Sequence, residues 1–248
     1  KLIHTKAADL IFTHPSAIID AYNGVGYFKD VTIRNVKVLT FVGTSVFTIA
    51  TREDSGIKTI RDLKGKRINM GGPEFITYYI IRELLTMAGI DPDKDTSPIY
   101  VTTKVACDLT KEGKLDAFGW TGTIPSAVVY ELSTAVKIRF VTYDEFIPRM
   151  IEKYKGAFYE DVQPKSSYHG VDYDVKVLGV PVVLACRADL PADLVYHILR
   201  VMVDFRDELI TIHKAWSEFT LKDALKGVPL DFLHEGAKRF FIERGLKI

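Results

Sequence analysis

A glycine turn that leads into a helix is the segment of this sequence best suited to binding an anion. Gly71 and Gly72 follow a short predicted strand at residues 67–70, and an amphipathic pattern covers residues 76–89. Glycine lets the backbone turn sharply, and Pro73 suits the first position of a helix. The first turn of a helix offers unpaired N–H groups and the positive end of the helix dipole. The segment can therefore bind a carboxylate, although glycine turns are common before helices in α/β domains.

Polar and aromatic side chains also follow other predicted strands, at the ends where ligands gather in open α/β sheets. His14 and Ser16 come directly after one apolar stretch, and Trp120 and Thr121 end another. Hydroxyl groups can donate hydrogen bonds to a carboxylate, and Trp120 beside a glycine suits a cleft wall. Each has a structural alternative. His14 can be an ordinary surface histidine, Ser16 can cap a helix, and Trp120 can pack in the core.

The sequence has no pattern that is typical of catalysis or of a metal site. It contains no HExxH or CxxC motif and no Ser–His–Asp order. Cys107 and Cys186 lie neither at a glycine elbow nor beside a histidine, so neither is a predicted nucleophile. They are far apart in sequence, which favours two buried free thiols over a disulfide. We therefore expect no enzyme, no metal and no cofactor.

Composition and charge narrow the class of protein. The 248 residues are 47% hydrophobic and 26% charged, which is typical of a globular protein with one large domain or two lobes. A net charge of +1 provides no basic field for nucleic acid. The longest apolar run, residues 177–186, is too short to span a membrane. No signal peptide is visible, and the missing initial Met indicates a processed, trimmed or incomplete chain.

Two similar segments bracket the middle of the chain. Residues 36–42 and 46–51 are predicted as strands separated by residues 43–45, and residues 175–186 repeat this pattern with the same Arg-x-Asp ending. We interpret the two segments as crossings between lobes, although chance similarity between β-rich segments is an alternative. The predicted lobe I comprises residues 1–47 and 188–248, the predicted lobe II residues 48–187, and the predicted hinges lie near residues 45–50 and 180–187.

Short landmark segments follow one another along almost the whole chain. They are Ala21-Tyr22-Asn23-Gly24, Asp116-Ala117-Phe118, Asp189 to Tyr196 and Leu233 to Ala237. Together with residues 54–67 and the glycine-proline turn, this ordered set resembles the TAXI family, the extracytoplasmic solute receptors of TRAP (tripartite ATP-independent periplasmic) transporters. The Asp-Leu-Lys-Gly-Lys-Arg piece at residues 62–67 is common to many binding proteins, so the ordered set carries the resemblance.

The resemblance implies both a fold and a function. The implied fold is α/β, a two-lobed type II periplasmic-binding-protein-like fold with two crossing strands, and the family's first βα unit of lobe I has no counterpart in these residues. The implied function is that of a monomeric periplasmic receptor. It would close its lobes on a small carboxylate-bearing solute, an amino acid or a dicarboxylate, and deliver it to TRAP membrane permease subunits. Tyr168 and Gly170 match a family loop, which adds Tyr168 as a ligand contact.

The resulting ligand-binding candidates are His14, Ser16, Gly72, Glu74, Phe75, Ile76, Thr77, Trp120, Thr121 and Tyr168. The sequence departs from the family at Glu74 and Phe75, where small residues usually follow the turn. Glu74 in the first turn would stabilise a helix, and it could also repel an anionic ligand or accept a cationic group. Two other classes remain open: an effector-binding domain of a regulator, and an enzyme on the same fold. A regulator would normally carry a DNA-binding module, and an enzyme would need a catalytic constellation. Neither is recognisable in the sequence.

Overall fold

The computed structural model describes residues 2–154 and 157–248. Its strands are β1 (Leu10–Thr13), β2 (Val36–Arg52), β3 (Arg67–Asn69), β4 (Ser97–Ile99), β5 (Ala117–Gly122), β6 (Ile138–Phe140), β7 (Tyr159–Gln163) and β8 (Val175–Arg187). Its α-helices are α1 (Pro15–Asn23), α2 (Ile76–Met87), α3 (Thr103–Lys111), α4 (Ala127–Ala135), α5 (Ile147–Lys153), α6 (Ala192–Asp204), α7 (Arg206–Ile212) and α8 (Glu235–Glu243). Strands and helices alternate through the middle of the chain, which is the order of an α/β protein.

The chain forms two compact units. Unit 1 comprises Lys1–Thr44 and Pro181–Ile248, and unit 2 comprises Ser45–Val180. Both passages from one unit to the other fall inside long strands, β2 and β8, slightly before the boundaries that the sequence predicts. The predicted break at residues 43–45 is wrong, because β2 is continuous over 17 residues and Gly43 adopts the extended conformation of its neighbours.

Unit 1 is built on the antiparallel pairing of β1 with β8, in which Leu10 lies opposite Cys186. Its hydrophobic core joins apolar side chains of β2 and β8 to those of α6 and α8. The two helices approach closely, because a Cβ on Gly236 would stand 2.1 Å from the Ala192 carbonyl oxygen. The glycine at position 236 is therefore required by the packing of α8 on α6.

Unit 2 contains the parallel strands. β3 lies between β4 and β5 and is parallel to both. β5 also pairs antiparallel with β2, so that Thr48 lies opposite Trp120 and Phe47 opposite Thr121. β6 pairs antiparallel with β2, and β7 pairs antiparallel with β8. Because parallel strands end at the same edge of a sheet, the carboxyl ends of β3, β4 and β5 form one edge of this unit.

Two hydrophobic clusters cover the two faces of the sheet in unit 2. The first contains Phe47 with the apolar side of α2, and the second contains Val46 with side chains of α3 and α4. Successive side chains of a strand point to opposite faces, so the neighbours Phe47 and Val46 belong to different clusters. The same alternation separates Trp120, in the second cluster, from Thr121 on the face of α2.

Two predicted helices have different limits in the structure. The sequence predicts that the helix after the glycine turn begins at Pro73, but α2 begins at Ile76. The residues before it form a turn in which Phe75 N–H donates to the Gly72 carbonyl (3.0 Å). The predicted long helix at residues 194–212 divides into α6 and α7 at Phe205, whose φ of −111° and ψ of 29° interrupt the helical backbone.

Both cysteines are buried and free, which confirms the expectation of two free thiols. Burial raises the pKa of each thiol to about 12, so Cys107 and Cys186 stay protonated near neutral pH. Within the described ranges, the helices are all too short or too polar to cross a membrane.

Candidate ligand-binding site

The carboxyl edge of the parallel strands in unit 2 is held by an asparagine. Asn69 ends β3, and its Oδ1 accepts hydrogen bonds from the N–H groups of Gly71 (3.2 Å) and Val101 (3.0 Å). Met70 N–H donates to the Ile99 carbonyl (2.9 Å) in the same region. Gly71 adopts φ +70°, a conformation that favours glycine. The turn after β3 and the segment after β4 are therefore fixed against each other.

The first turn of α2 follows this glycine turn directly. Because α2 begins at Ile76, Glu74 and Phe75 precede the helix, and the prediction that Glu74 belongs to its first turn is wrong. Phe75 occupies the N-cap position, where it supplies no side-chain acceptor. The N–H groups of Ile76 and Thr77 have no carbonyl one turn earlier within the helix. These two N–H groups and the positive end of the dipole suit a carboxylate.

A pair of hydroxyl groups lies beside this first turn. Thr77 is 8% exposed, and its Oγ1 donates a hydrogen bond to Thr121 Oγ1 at 3.0 Å. No acceptor for the Thr121 hydroxyl proton is present among residues 2–154 and 157–248. Since a hydroxyl group can accept and donate at once, Thr121 can pass this hydrogen bond on to an oxygen of a ligand.

A glycine in β5 brings the two threonines together. A Cβ on Gly119 would lie 3.1 Å from Ile81 Cδ1 and 3.2 Å from Phe47 Cε2, which is closer than ordinary contact. Gly119 and Thr121 are two residues apart on one face of a strand, and Ile81 and Thr77 are four apart on one side of a helix. The close packing of Ile81 over Gly119 therefore sets the approach of Thr77 to Thr121.

The Glu74 side chain folds back over the glycine turn. A Cβ on Gly72 would stand 2.5 Å from Glu74 Oε2, so the carboxylate occupies the space beside the Gly72 backbone. Glu74 is exposed, and Phe75 is 54% exposed. A negative charge and an exposed ring therefore border the first turn of α2.

Trp120 and Tyr168 lie in the second hydrophobic cluster of unit 2, on the face of β5 opposite Thr121. They are 3% and 1% exposed, and their ring centroids are 6.3 Å apart. Tyr168 Oη accepts a hydrogen bond from Ser126 N–H (2.9 Å). Burial raises the pKa of Tyr168 to about 12. The core-packing alternative for Trp120 describes its position in the structure, and a ligand contact for either residue stays a prediction.

The two candidates in unit 1 lie at the start of α1. His14 is the N-cap residue, so the alternative that Ser16 caps this helix is wrong, and Ser16 is buried in its first turn. His14 Nδ1 lies 3.0 Å from the Pro181 carbonyl oxygen, which can only accept, so Nδ1 carries the proton. Burial lowers the pKa of His14 against the opposing effect of this bond. The neutral ring therefore presents Nε2 as an acceptor, which suits a hydroxyl or ammonium group of a ligand.

The structure thus assembles the candidates of the glycine turn with Thr121 in unit 2. The residue that sequence reasoning missed is Asn69, whose side chain holds the turn. A polar residue that ends a short strand two residues before a pair of glycines is the signal that pointed to it. In the described part of the chain, no group of three or more His, Cys, Asp and Glu side chains is placed to hold a metal ion.

Known proteins match this chain in sequence pattern and in fold. The sequence model of the NMT1-like family matches residues 1–245. The periplasmic aliphatic sulphonate binding protein SsuA from Escherichia coli is 15% identical over 98% of this chain and 67% of its own, with a TM-score of 0.51. XAC2383 from Xanthomonas citri, bound to chloride ion, is 10% identical over 98% of this chain and 81% of its own, with a TM-score of 0.55. The α/β, type II periplasmic-binding-protein fold predicted from the sequence is confirmed.

Proposed function

Because the chain belongs to the NMT1-like family, we propose that it is an extracytoplasmic solute receptor. It captures a small carboxylate-bearing solute and delivers the solute to a membrane permease. The fold neighbours include a periplasmic binding protein, which supports a receptor and an extracytoplasmic location for this chain. The receptor acts as a monomer without a cofactor.

The observation that carries the proposal is the hydroxyl pair beside the first turn of α2. The N–H groups of Ile76 and Thr77 supply two donors, and Thr121 supplies a third through its hydroxyl proton. Three donors and a helix dipole can stabilise one carboxylate without a basic side chain. The charge-assisted hydrogen bonds that result are roughly twice as strong as neutral ones.

Glu74 narrows the class of solute from an amino acid or a dicarboxylate to an amino acid. Its carboxylate lies beside Gly72, immediately before the helix whose first turn receives the acid group. A second acid group on the solute would be repelled there, whereas an ammonium group would be attracted. Phe75 completes the proposed set of contacts at α2 in unit 2. His14 and Ser16 are separate proposed contacts in unit 1.

The permease that we propose is of the TRAP type, because the ordered sequence landmarks resemble those of TAXI receptors. The SsuA protein is named for aliphatic sulphonates, so a sulfonate is the second solute class to be tested. A sulfonate presents the same anionic oxygens to the donors of α2 and Thr121, and the binding data decide between the two acid groups.

Isothermal titration calorimetry with the purified protein tests the receptor function. The panel contains amino acids, dicarboxylates and alkanesulfonates, and mass spectrometry under native conditions first identifies any solute that is retained on purification. We expect one amino acid to bind with 1:1 stoichiometry. Thr121→Val should weaken its Kd about tenfold, the effect of one lost charge-assisted hydrogen bond. Thr77→Val should weaken the Kd less, because it removes the hydrogen bond to Thr121 Oγ1 and keeps the Thr77 N–H donor. Thr86→Val is the matched control, since Thr86 is an exposed residue of the same helix.

The outcomes separate the parts of the proposal. Glu74→Gln should improve the binding of a dicarboxylate relative to an amino acid, and an unchanged ratio removes Glu74 from the site. If Thr121→Val binds like the parent, the acid group does not bind beside α2 and Thr121. A folded protein that binds no member of the panel contradicts the receptor function for these classes, and a regulator domain or an enzyme then becomes the better assignment.

A further inference from the structure

Three hydrogen-bond donors lie inside the second hydrophobic cluster of unit 2 without an acceptor. Thr48, Trp120 and Tyr168 are 1%, 3% and 1% exposed. Thr48 Oγ1 and Trp120 Nε1 have no hydrogen-bond partner in residues 2–154 and 157–248. Tyr168 Oη accepts the bond from Ser126 N–H, so its own proton is left to donate. Buried polar groups are nearly always paired in native proteins, because an unpaired one is destabilising.

The three donors belong to one neighbourhood. Thr48 lies directly opposite Trp120 in the antiparallel pairing of β2 with β5, so both side chains are on the same face of the sheet. The Trp120 ring lies edge-to-face with the Tyr168 ring, at a centroid distance of 6.3 Å. Residues of two strands and of one loop therefore contribute donors to the same cluster.

The indole ring of Trp120 lies close to the carboxyl end of β5. A Cβ on Gly122 would stand 3.8 Å from Trp120 Cδ1, the ring carbon that is bonded to Nε1. Tyr168 Oη is hydrogen-bonded to Ser126, which follows β5 along the chain. Both rings thus lie near the segment that leaves β5. A cavity of about 360 Å³ is lined by Tyr168 and Val171, and it places solvent beside this cluster.

We propose that Thr48 Oγ1, Trp120 Nε1 and Tyr168 Oη form a second binding site, which holds a small monovalent anion. The site is distinct from the one proposed at α2, because Trp120 and Thr121 project from opposite faces of β5. Three groups that each have a proton to donate, and no partner to receive it in the described residues, match a halide ion or the carboxylate of formate or acetate. An anion suits the site better than a neutral carbonyl group, because its hydrogen bonds are charge-assisted.

The chemistry of the surroundings defines the ligand. The rings of Phe118, Phe140 and Tyr168 pack around Trp120, so the surroundings are apolar and closely packed, which excludes a large solute. Burial raises the pKa of Tyr168 to about 12 and that of Cys107, in the same cluster, to about 12. Both groups therefore stay neutral, and neither adds a negative charge that would repel the anion.

Tryptophan fluorescence measures anion binding at this site directly, because Trp120 is one of the three donors. The sequence contains two tryptophans, so Trp216→Phe leaves Trp120 as the sole emitter. In this background the protein is titrated with sodium acetate, sodium chloride and, as a neutral isostere, acetamide at constant ionic strength. We expect a saturable change in Trp120 emission with acetate and none with acetamide. Saturation by chloride as well indicates a halide-sized site, and saturation by acetate alone indicates a carboxylate site.

Variants of the donors test the assignment. Thr48→Val and Tyr168→Phe should each weaken acetate binding about tenfold, whereas Thr48→Ser, which retains a hydroxyl group, should bind like the parent. Thr110→Val is the matched control, because Thr110 Oγ1 is likewise buried without a partner in the described residues but belongs to α3. Thermal unfolding of each variant confirms that it is folded before titration.

The proposal is overturned if acetate and acetamide act alike, or if Thr110→Val weakens binding as much as Thr48→Val. It is also overturned if the Trp120 emission never saturates with either anion, since ordered water then suffices for the three donors. Failure of the receptor function is distinguishable, because Thr77→Val should weaken solute binding at α2 and leave the acetate response unchanged.

Discussion

Replacement of Tyr143 by Phe should destabilise unit 2 more than any other removal of a single oxygen that we consider. Tyr143 is 2% exposed, and its hydroxyl group donates to the Phe47 carbonyl and accepts a hydrogen bond from Leu178 N–H (3.1 Å). Phe47 belongs to β2 and Leu178 to β8. One side chain thus joins the two long strands within this unit. Burial raises the pKa of Tyr143, so the hydroxyl group keeps the proton that it donates.

The magnitude follows from the two lost hydrogen bonds. Each is worth about 1 kcal/mol net, and the buried groups left behind add part of their desolvation penalty, so we expect a loss of about 2–3 kcal/mol in the free energy of unfolding. Tyr→Phe removes one oxygen and leaves the ring in place, so the cavity contribution is small. With a urea m-value of about 2 kcal/mol/M, the midpoint should fall by roughly 1 M.

Urea unfolding followed by Trp120 emission in the Trp216→Phe background measures this change, because Trp120 lies in unit 2. Tyr130→Phe is the matched control, since Tyr130 is also in unit 2 but is 46% exposed. The control should change stability by less than about 0.5 kcal/mol. If Tyr143→Phe shifts the midpoint no more than Tyr130→Phe does, the two hydrogen bonds do not hold β2 and β8 together.

Two further predictions concern unit 1. Gly236→Ala should lower the melting temperature by several degrees, because the new Cβ would meet the Ala192 carbonyl, whereas Gly43→Ala, with its nearest neighbour at 3.8 Å, should be nearly neutral. Burial lowers the pKa of His234, and its Nδ1 accepts from Gly236 N–H (3.1 Å), so stability should be full above pH 6.5 and fall below it. Urea midpoints from pH 7 to 5 should fall less for His234→Asn, which keeps an acceptor but cannot titrate; equal slopes would contradict this.

The hydrophobic patterns in the sequence were sufficient to predict much of α2. Its apolar residues recur at helical spacing, and the predicted stop at Gly89 is confirmed by a φ of +79° directly after the helix. The start was wrong because the hydrogen bond from Phe75 N–H to Gly72 closes a turn before the helix. Such a bond depends on the path of the backbone between the strand and the helix, and local helix propensity does not determine that path.

The sequence was sufficient to predict those parts of the candidate site that do not depend on the face of the sheet on which a side chain lies. The glycine turn follows β3 and Thr121 lies near the end of β5, and the rule that parallel strands end at one edge was enough to bring them together. The rule does not state which face of the strand is open to a ligand. Trp120 precedes Thr121 by one residue, so it projects to the opposite face, into the second hydrophobic cluster. Only the positions of α3 and α4 show that this face is covered.

The register of β5 against β2 determines both proposed sites at once. Thr121 lies opposite Phe47 on the face of α2, and Trp120 lies opposite Thr48 on the other. A shift of one residue would exchange the two faces, so the register that places Thr121 beside Thr77 also directs Trp120 into its cluster. Gly119 favours this register, because the face that carries it packs against Ile81 and Phe47 more closely than a Cβ ordinarily allows. A substitution at Gly119 would therefore disturb both sites together, whereas substitutions at Thr77 and at Thr48 act on one site each.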